Sequence, residues 1–387
     1  MTQEMWRIGV ILSESGVTKD MELPQRAAIQ LAVDEINDRG GVLGRKFEAI
    51  FRDPASKPAR YGAIAQELCR DERVNVIFGA HMSSSRKAIV PVVEANNALL
   101  FYPTTYEGFE YSRNCIYAGA APNQNSVPLV DYLMEHCGKR IFLVGSDYVY
   151  PYASNRIISD LVKNEGGQVV DELYVPLELE QRHIERIIAR IRDAKPDAIY
   201  STIVGEGIPE FYSAFYAAGF DPKQTPIASQ STSEVDIALL QPGAAEGHII
   251  AAPFFDSLQT PSAQAFASAM RSRTGGTLPA TAPAEAAYYS VHLFATALAI
   301  AGDDSIDALL PALYEVEFDA PQGPVRIDRS TNHVLLWPRV ARVKEGAPYE
   351  IVSAPEERVM PDPYLLDFIK RYDDRLDQEE SDLAILG

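Results

Sequence analysis

The sequence predicts an α/β protein of two lobes, each built on a parallel sheet, and three observations predict it. Apolar runs of strand length alternate with amphipathic stretches of helix length from residue 7 onward. The alternation restarts after APNQN at 121–125. The chain has 387 residues, more than one hydrophobic core ordinarily serves. The lobes need not be contiguous halves, and with no low-complexity linker between them short hinge strands are the expected connections.

In order, RIGVIL (7–12) predicts a buried strand and QRAAIQLAVDEIND (25–38) a helix stopped by Arg39-Gly40-Gly41. KFEAIFRD (46–53) is a strand, ARYGAIAQELCRD (59–71) a helix and VNVIFG (74–79) a strand. SSRKAIVPVVEAN (84–96) is a helix interrupted by Pro91, and ALLFY (98–102) a strand. The second series runs from a helix through SVPLVDYLMEHC to strand RIFLVGS (140–146), a helix around ASNRIISDLVKNEGG and strand QVVDELYVP (168–176). A helix at 181–193, strand DAIYSTIVG (197–205), helix PEFYSAFYAAG and strand TPIAS (225–229) continue it. AEAAYYSVHLFATALAIAG (284–302) is helical, and FDAPQGPVRID (318–328) is a strand with a turn. The two series are alike in rhythm and not in letters, so they are similar lobes and not a sequence repeat.

Charge and composition exclude several classes. Acidic residues outnumber basic ones 54 to 35, for a net charge of −19, which repels phosphate backbones and anionic lipid. The apolar run near the N-terminus, IGVIL, is too short for a signal-peptide core, and no run is long enough to span a membrane. Cys69, Cys115 and Cys137 lack CxxC spacing and fit reduced thiols. A cytoplasmic address is therefore expected, or a periplasmic one if a leader has been removed. The six histidines show no metal-ligand spacing, and no Walker loop, HExxH or GxSxG elbow occurs. Neither a metal, a cofactor nor a catalytic nucleophile is expected.

Ligands of parallel α/β sheets sit outside the carboxyl ends of the strands. The loops there read SESG, GAHMSSSR, YPTTYEG, GSDYVYP, VGEG and QSTSE, five of them carrying hydroxyls. FYPTTYEGFEYS (101–112) has only Pro103 and Gly108 for turn making, and its surplus of rings and hydroxyls suits a small polar ligand. GAHMSSSRK (79–87) sets serines where a helix begins, either as an N-cap or as a polar grip. Tyr148 and Tyr150 stand two apart, packing at a strand end or facing a ligand together.

Taken as a set, GAHMSSSRKAIVPVVE, LLFYPTTYEGFEYS, AAPNQNSVPL, VGSDYVYP, STIVGEG, AEAAYYS, FDAPQGPVRID and PDPY resemble the type I periplasmic-binding-protein fold. Within it they resemble the amide-sensing negative regulators of aliphatic amidase operons, over nearly the whole chain. The resemblance implies two Rossmann-like lobes joined by three hinge crossings: 1–121 with 254–321, and 122–253 with 322–365, followed by an acidic tail, 366–387. It implies a non-enzymatic cytoplasmic sensor that binds a small aliphatic amide or urea and restrains an RNA-binding antiterminator. Self-association is left open, and direct nucleic-acid contact and membrane insertion are not expected. The alternative is a urea or short-chain amide receptor of an ABC uptake system, whose members share similar motifs. By motif, Ser83 and Thr104 would take the ligand's polar end, Tyr102 and Tyr150 would wall it, and Tyr148 would bond it from the other lobe. Val204 and Ser231 would contribute. His81 and Thr105 depart from the pattern, His81 standing where a large ring is usual and Thr105 where proline is. If His81 faces the ligand, its imidazole should make affinity change between about pH 5.5 and 7.5.

Overall fold

The computed structural model describes residues 5–241, 243–344 and 349–368; most of the acidic tail lies outside these. The first lobe opens with β1 (Trp6–Ile11), α1 (Lys19–Asp38), β2 (Phe47–Arg52), α2 (Pro58–Arg70), β3 (Val76–Gly79), α3 (Ser83–Ala95), β4 (Leu99–Tyr102) and β5 (Cys115–Tyr117). Its parallel sheet has the order β2-β1-β3-β4-β5. Both faces are covered, which is why the strands are near-continuous apolar runs. Ile8, Val10, Phe78 and Phe101 pack on one face, and Ile11, Ile77, Leu100 and Tyr102 on the other. α1 ends where the sequence places its stop, with Gly40 at φ +98 and Gly41 at φ +76. Pro91 sits inside α3 without ending it.

The second lobe follows with α4 (Pro122–His136), β6 (Arg140–Ser146), α5 (Val149–Asn164), β7 (Gln168–Val175), α6 (Gln181–Ala194), β8 (Ala198–Thr202), α7 (Gly207–Ala217), β9 (Ile227–Ser229), α8 (Glu234–Ala238) and β10 (Ile249–Ala252). The chain then passes through α9 (Pro261–Thr274), α10 (Ala282–Ala301) and α11 (Ile306–Leu313) to a small sheet of β11 (Glu317–Ala320), β12 (Gly323–Ile327) and β13 (Val334–Leu335). The expected strand-and-turn at 318–328 is the β11–β12 hairpin. α10 and α11 pack into the first lobe's core beside Phe47 and Phe101. β14 (Arg339–Val343) and β15 (Tyr349–Ser353) finally join the second sheet, order β15-β14-β10-β9-β8-β6-β7. β14 and β15 pair antiparallel and the rest of that sheet is parallel. The architecture is the expected one: two α/β lobes with parallel sheets joined by crossovers. Among the described residues no helix is long and apolar enough to cross a membrane.

The lobes are joined after β5, after β10 and after β13, and these crossings are tied to one another. Arg339, on the third, donates to Pro253 O on the second and, at 2.9 Å, to Gln322 O. Gln124, just past the first, donates to Val334 O at 3.0 Å and Val359 O at 2.9 Å. Glu285 accepts from Gln322 Nε2 at 2.8 Å, and burial pushes its carboxyl up to about 8. Gly119 lets the first crossing lie against Thr104, where a Cβ would stand 2.0 Å from that residue's carbonyl carbon. The segment after β15 returns across both lobes: Phe109 N–H donates to Pro363 O at 2.9 Å, and Leu365 enters the second lobe's core.

Candidate functional site

Both sheets reverse direction of strand order at a defined place, between β1 and β3 in the first and between β6 and β8 in the second. Such switch points open a crevice at the strands' carboxyl ends. Here the two crevices face one another across a cleft, with about 50 Å³ left for the centres of water-sized bodies, room for a few waters or one small solute. Eight of the nine expected residues line it: His81, Ser83, Thr104 and Thr105 from the first lobe, Tyr148, Tyr150, Val204 and Ser231 from the second. The ninth, Tyr102, stands behind the wall. It is fully buried, and its hydroxyl donates to His81 O at 2.7 Å, bracing the loop between β3 and α3.

Ser83 is the first residue of α3, whose N-cap is Met82, and its side chain caps nothing. The Ser83 hydroxyl donates to Glu107 Oε2 and accepts from Arg86 Nη1 at 3.2 Å. Glu107, in the tyrosine loop after β4, is held in turn by Arg86 Nη2 at 2.9 Å. Arg86 is fully buried, bonds Glu110 through Nε at 2.8 Å, and lies over the rings of Tyr102 and Tyr106. Burial alone would raise the Glu110 carboxyl, but hydrogen bonding and charge from Arg86, with Lys87, hold it at about 2. The chemical result is directional. With its hydrogen committed to Glu107, Ser83 Oγ can only accept from a ligand. Beside it the N–H groups of Ser83 and Ser84, at the start of a 13-residue helix, carry no hydrogen bond among the described residues and can donate.

Other hydroxyls are also committed. Thr105 Oγ1 donates to Ala120 O at 3.1 Å and accepts from Asn125 Nδ2, so it holds the first crossing while one side lines the cleft. Thr104 Oγ1 makes only a long contact, 3.4 Å, to Ala80 O. From the second lobe, Tyr150 reaches Gln230 Oε1 at 3.5 Å, and Gln230 Nε2 donates to Ser126 at 3.0 Å. Tyr148 sits in extended backbone between β6 and α5, its ring 6.4 Å from that of Tyr150, and its hydroxyl has no partner among the described residues. Ser231 Oγ donates to Ile203 O at 3.3 Å.

His81 is 8 % exposed and bonded through Nδ1 to Gln25 Nε2 at 3.0 Å. The same Gln25 nitrogen donates to Met21 O at 2.9 Å, which fixes the amide's orientation and makes His81 Nδ1 an acceptor. Burial pushes this imidazole down to about 4, so it is neutral across the range in which a solvated histidine titrates. A pH response between about 5.5 and 7.5 is therefore no longer expected from this ring. Because the folded pKa is depressed, the neutral ring persists above about 4 and is lost only as pH falls towards that value. Ligand affinity followed by calorimetry is expected to stay flat from about pH 5.5 to 7.5. A transition centred near ~6.5 would show a solvated, unpaired ring instead.

Sequence reasoning missed other parts of the lining, among them Met21 in α1, Phe254 and Phe255 on the second crossing, Thr281 before α10, and Tyr349 in β15. Gln230 and Thr232 to Glu234 also line it, and they flank the one residue of QSTSE that was singled out. Cys69, Cys115 and Cys137 are free thiols away from the cleft. Among the described residues no group of three or more histidine, cysteine, aspartate or glutamate side chains could hold a metal ion.

Residues 6–369 match the family model described as a periplasmic binding protein domain. The Leu/Ile/Val-binding protein homolog 6 of Brucella melitensis biotype 1 is 23% identical over 312 residues, 78% of this chain and 79% of that protein. The structure of an ABC-transporter solute-binding protein from Rhodopseudomonas palustris BisB5, in complex with 3,4-dihydroxybenzoic acid, superposes with a TM-score of 0.84 at 21% identity, covering 92% of this chain and 99% of that one. Another from R. palustris, in complex with 4-hydroxybenzoate, gives 0.81 at 22% identity, covering 95% and 100%. These similar proteins are described as binding proteins. The same findings overturn the expected amidase-operon regulator: the proteins named here as similar are described as binding proteins, several of them solute-binding proteins of transporters. The antiterminator partner and the cytoplasmic address fall with it, since both were drawn from the regulator resemblance and from the residues at the chain's start.

Proposed function

Since the chain belongs to the periplasmic binding protein family and has its type I fold, we propose that it is the substrate-binding component of an ABC uptake system, working outside the cytoplasmic membrane. Its solute is small, neutral and built around a carboxamide or urea group, and its macromolecular partner is the membrane component of the transporter. The observation that carries this reading is the direction of the Ser83–Glu107 hydrogen bond. A carboxamide presents a carbonyl oxygen and an NH2 side by side. The free N–H groups at the start of α3 suit the first, and the lone pair of Ser83 Oγ that Arg86 leaves open suits the second. A carboxylate offers acceptors only, and would set one of them against Ser83 Oγ with Glu107 immediately behind it. Tyr148 and Tyr150 close over the solute from the other lobe, so binding favours the arrangement in which the lobes meet.

A solute of about four heavy atoms at a ceiling near ~1.5 kcal/mol per atom gains roughly 6 kcal/mol, a dissociation constant of about tens of micromolar. Calorimetry with acetamide, propionamide, butyramide and urea, against benzoate, 4-hydroxybenzoate and isoleucine, tests the reading. Micromolar heats are expected from at least one of the first group, with the carboxylates at least tenfold weaker. Binding of the carboxylates alone would overturn it.

A further inference from the structure

The cleft does not end at the carboxamide grip. The same cavity is also lined by Met21, Ile250, Phe254 and Phe255, and by Glu234 and Tyr349; the Tyr349 ring packs 4.8 Å from that of Phe255. Tyr349 is 5 % exposed, and its hydroxyl is buried with no hydrogen-bond partner. That hydroxyl lies within electrostatic reach of Glu234, Asp236 and Asp256.

The neighbours are unequal in what they leave open. Asp236 is occupied, accepting from Ser233 N at 2.8 Å and Ser233 Oγ at 2.9 Å. Thr232 is occupied by Tyr212 at 3.0 Å. Glu234 is 8 % exposed and accepts from Asp256 N at 3.2 Å, while Asp256 Oδ1 is buried without a partner. Among residues of this lining the Tyr349 hydroxyl is thus left without a partner, beside a Glu234 carboxyl held by one backbone N–H, with the unpartnered Asp256 Oδ1 close by. Native proteins rarely leave such groups orphaned unless something else completes them.

We infer that this part of the cleft is a second subsite that takes the amino group of the solute, which is therefore an amino-carboxamide: a carboxamide head, a short aliphatic spacer and a terminal amine. The inference rests on the carboxamide reading for the head. Tyr349 and Glu234 accept from the amine, whose charge offsets the buried carboxyl, and the spacer lies along Met21, Phe254 and Phe255. A plain aliphatic amide leaves both polar groups bare.

Calorimetry with glycinamide, 3-aminopropanamide, 4-aminobutanamide and 5-aminopentanamide, each against the plain amide with the same number of carbons, tests it. One member of the amino series is expected to bind at least tenfold more tightly than its plain counterpart. In Tyr349→Phe and Glu234→Gln that preference is expected to collapse to within about threefold, a change of more than ~0.7 kcal/mol from the parent by the tenfold-per-1.4 kcal/mol conversion. If plain amides bind and no amino-amide binds better, or if the preference survives both substitutions, the subsite is refuted and the carboxamide reading stands. No heat from either series removes both. The comparison within the parent protein decides the matter even if a variant fails to fold.

Discussion

Arg86→Leu is expected to lower the unfolding free energy by about 3–5 kcal/mol, the range seen when one partner of a buried ion pair is removed. The guanidinium is fully buried and bonds two carboxylates, Glu107 at 2.9 Å and Glu110 at 2.8 Å, besides accepting two tyrosine faces. Leucine fills much of the volume but leaves Glu107 buried beside it without its counter-charge. Lys87 approaches Glu107 only at 3.8 Å from a largely exposed position and cannot take over. Arg86→Lys restores the charge without the planar fork and should recover part of the loss. Denaturant unfolding of the three proteins measures this. A loss below about 1 kcal/mol for the leucine variant would mean that water reaches the carboxylates and screens them.

The second large effect is on selectivity. Glu107→Gln exchanges an acceptor for a group that can donate to Ser83 Oγ, so the serine hydrogen is released towards the cleft. Amides are then expected to bind about tenfold or more weakly, and short carboxylates such as acetate and propionate to gain by a similar factor, since the site has lost a negative charge and acquired a donor. Arg86 keeps Glu110 as its partner, so the fold should survive. Titrating both ligand classes into parent and variant gives the ratio of affinities. If both classes weaken together, Glu107 merely supports the loop and does not set the polarity of Ser83.

The alternation of strand and helix was legible because each buried strand is a continuous apolar run and each helix carries a stripe at the right period; RIGVIL and RIFLVGS are β1 and β6 almost to the residue. β14 and β15 were not. RVARV and YEIVS are short and mix charged with apolar residues; the first becomes a strand by pairing antiparallel with β10, some ninety residues upstream, and the second by pairing with the first. The loops that carry eight of the nine residues expected in the cleft were legible because they follow strand ends, and the residues within them were marked by the family resemblance. The direction of the Ser83 hydrogen was not, since it depends on the loop after β4 folding back over α3 to bring Glu107 within reach. The lining beyond these loops was hidden for a similar reason: Phe254, Phe255 and Tyr349 come from a crossing and an edge strand that carry no motif.

The ties among the crossings bear on how a captured molecule gets out. Arg339 fastens the third crossing to Pro253 on the second and to Gln322, and Gln124 fastens the start of α4 to Val334 and Val359. Crossings fastened to one another in this way are expected to bend together, so that opening is one concerted motion of the lobes and not a sequence of separate hinge movements.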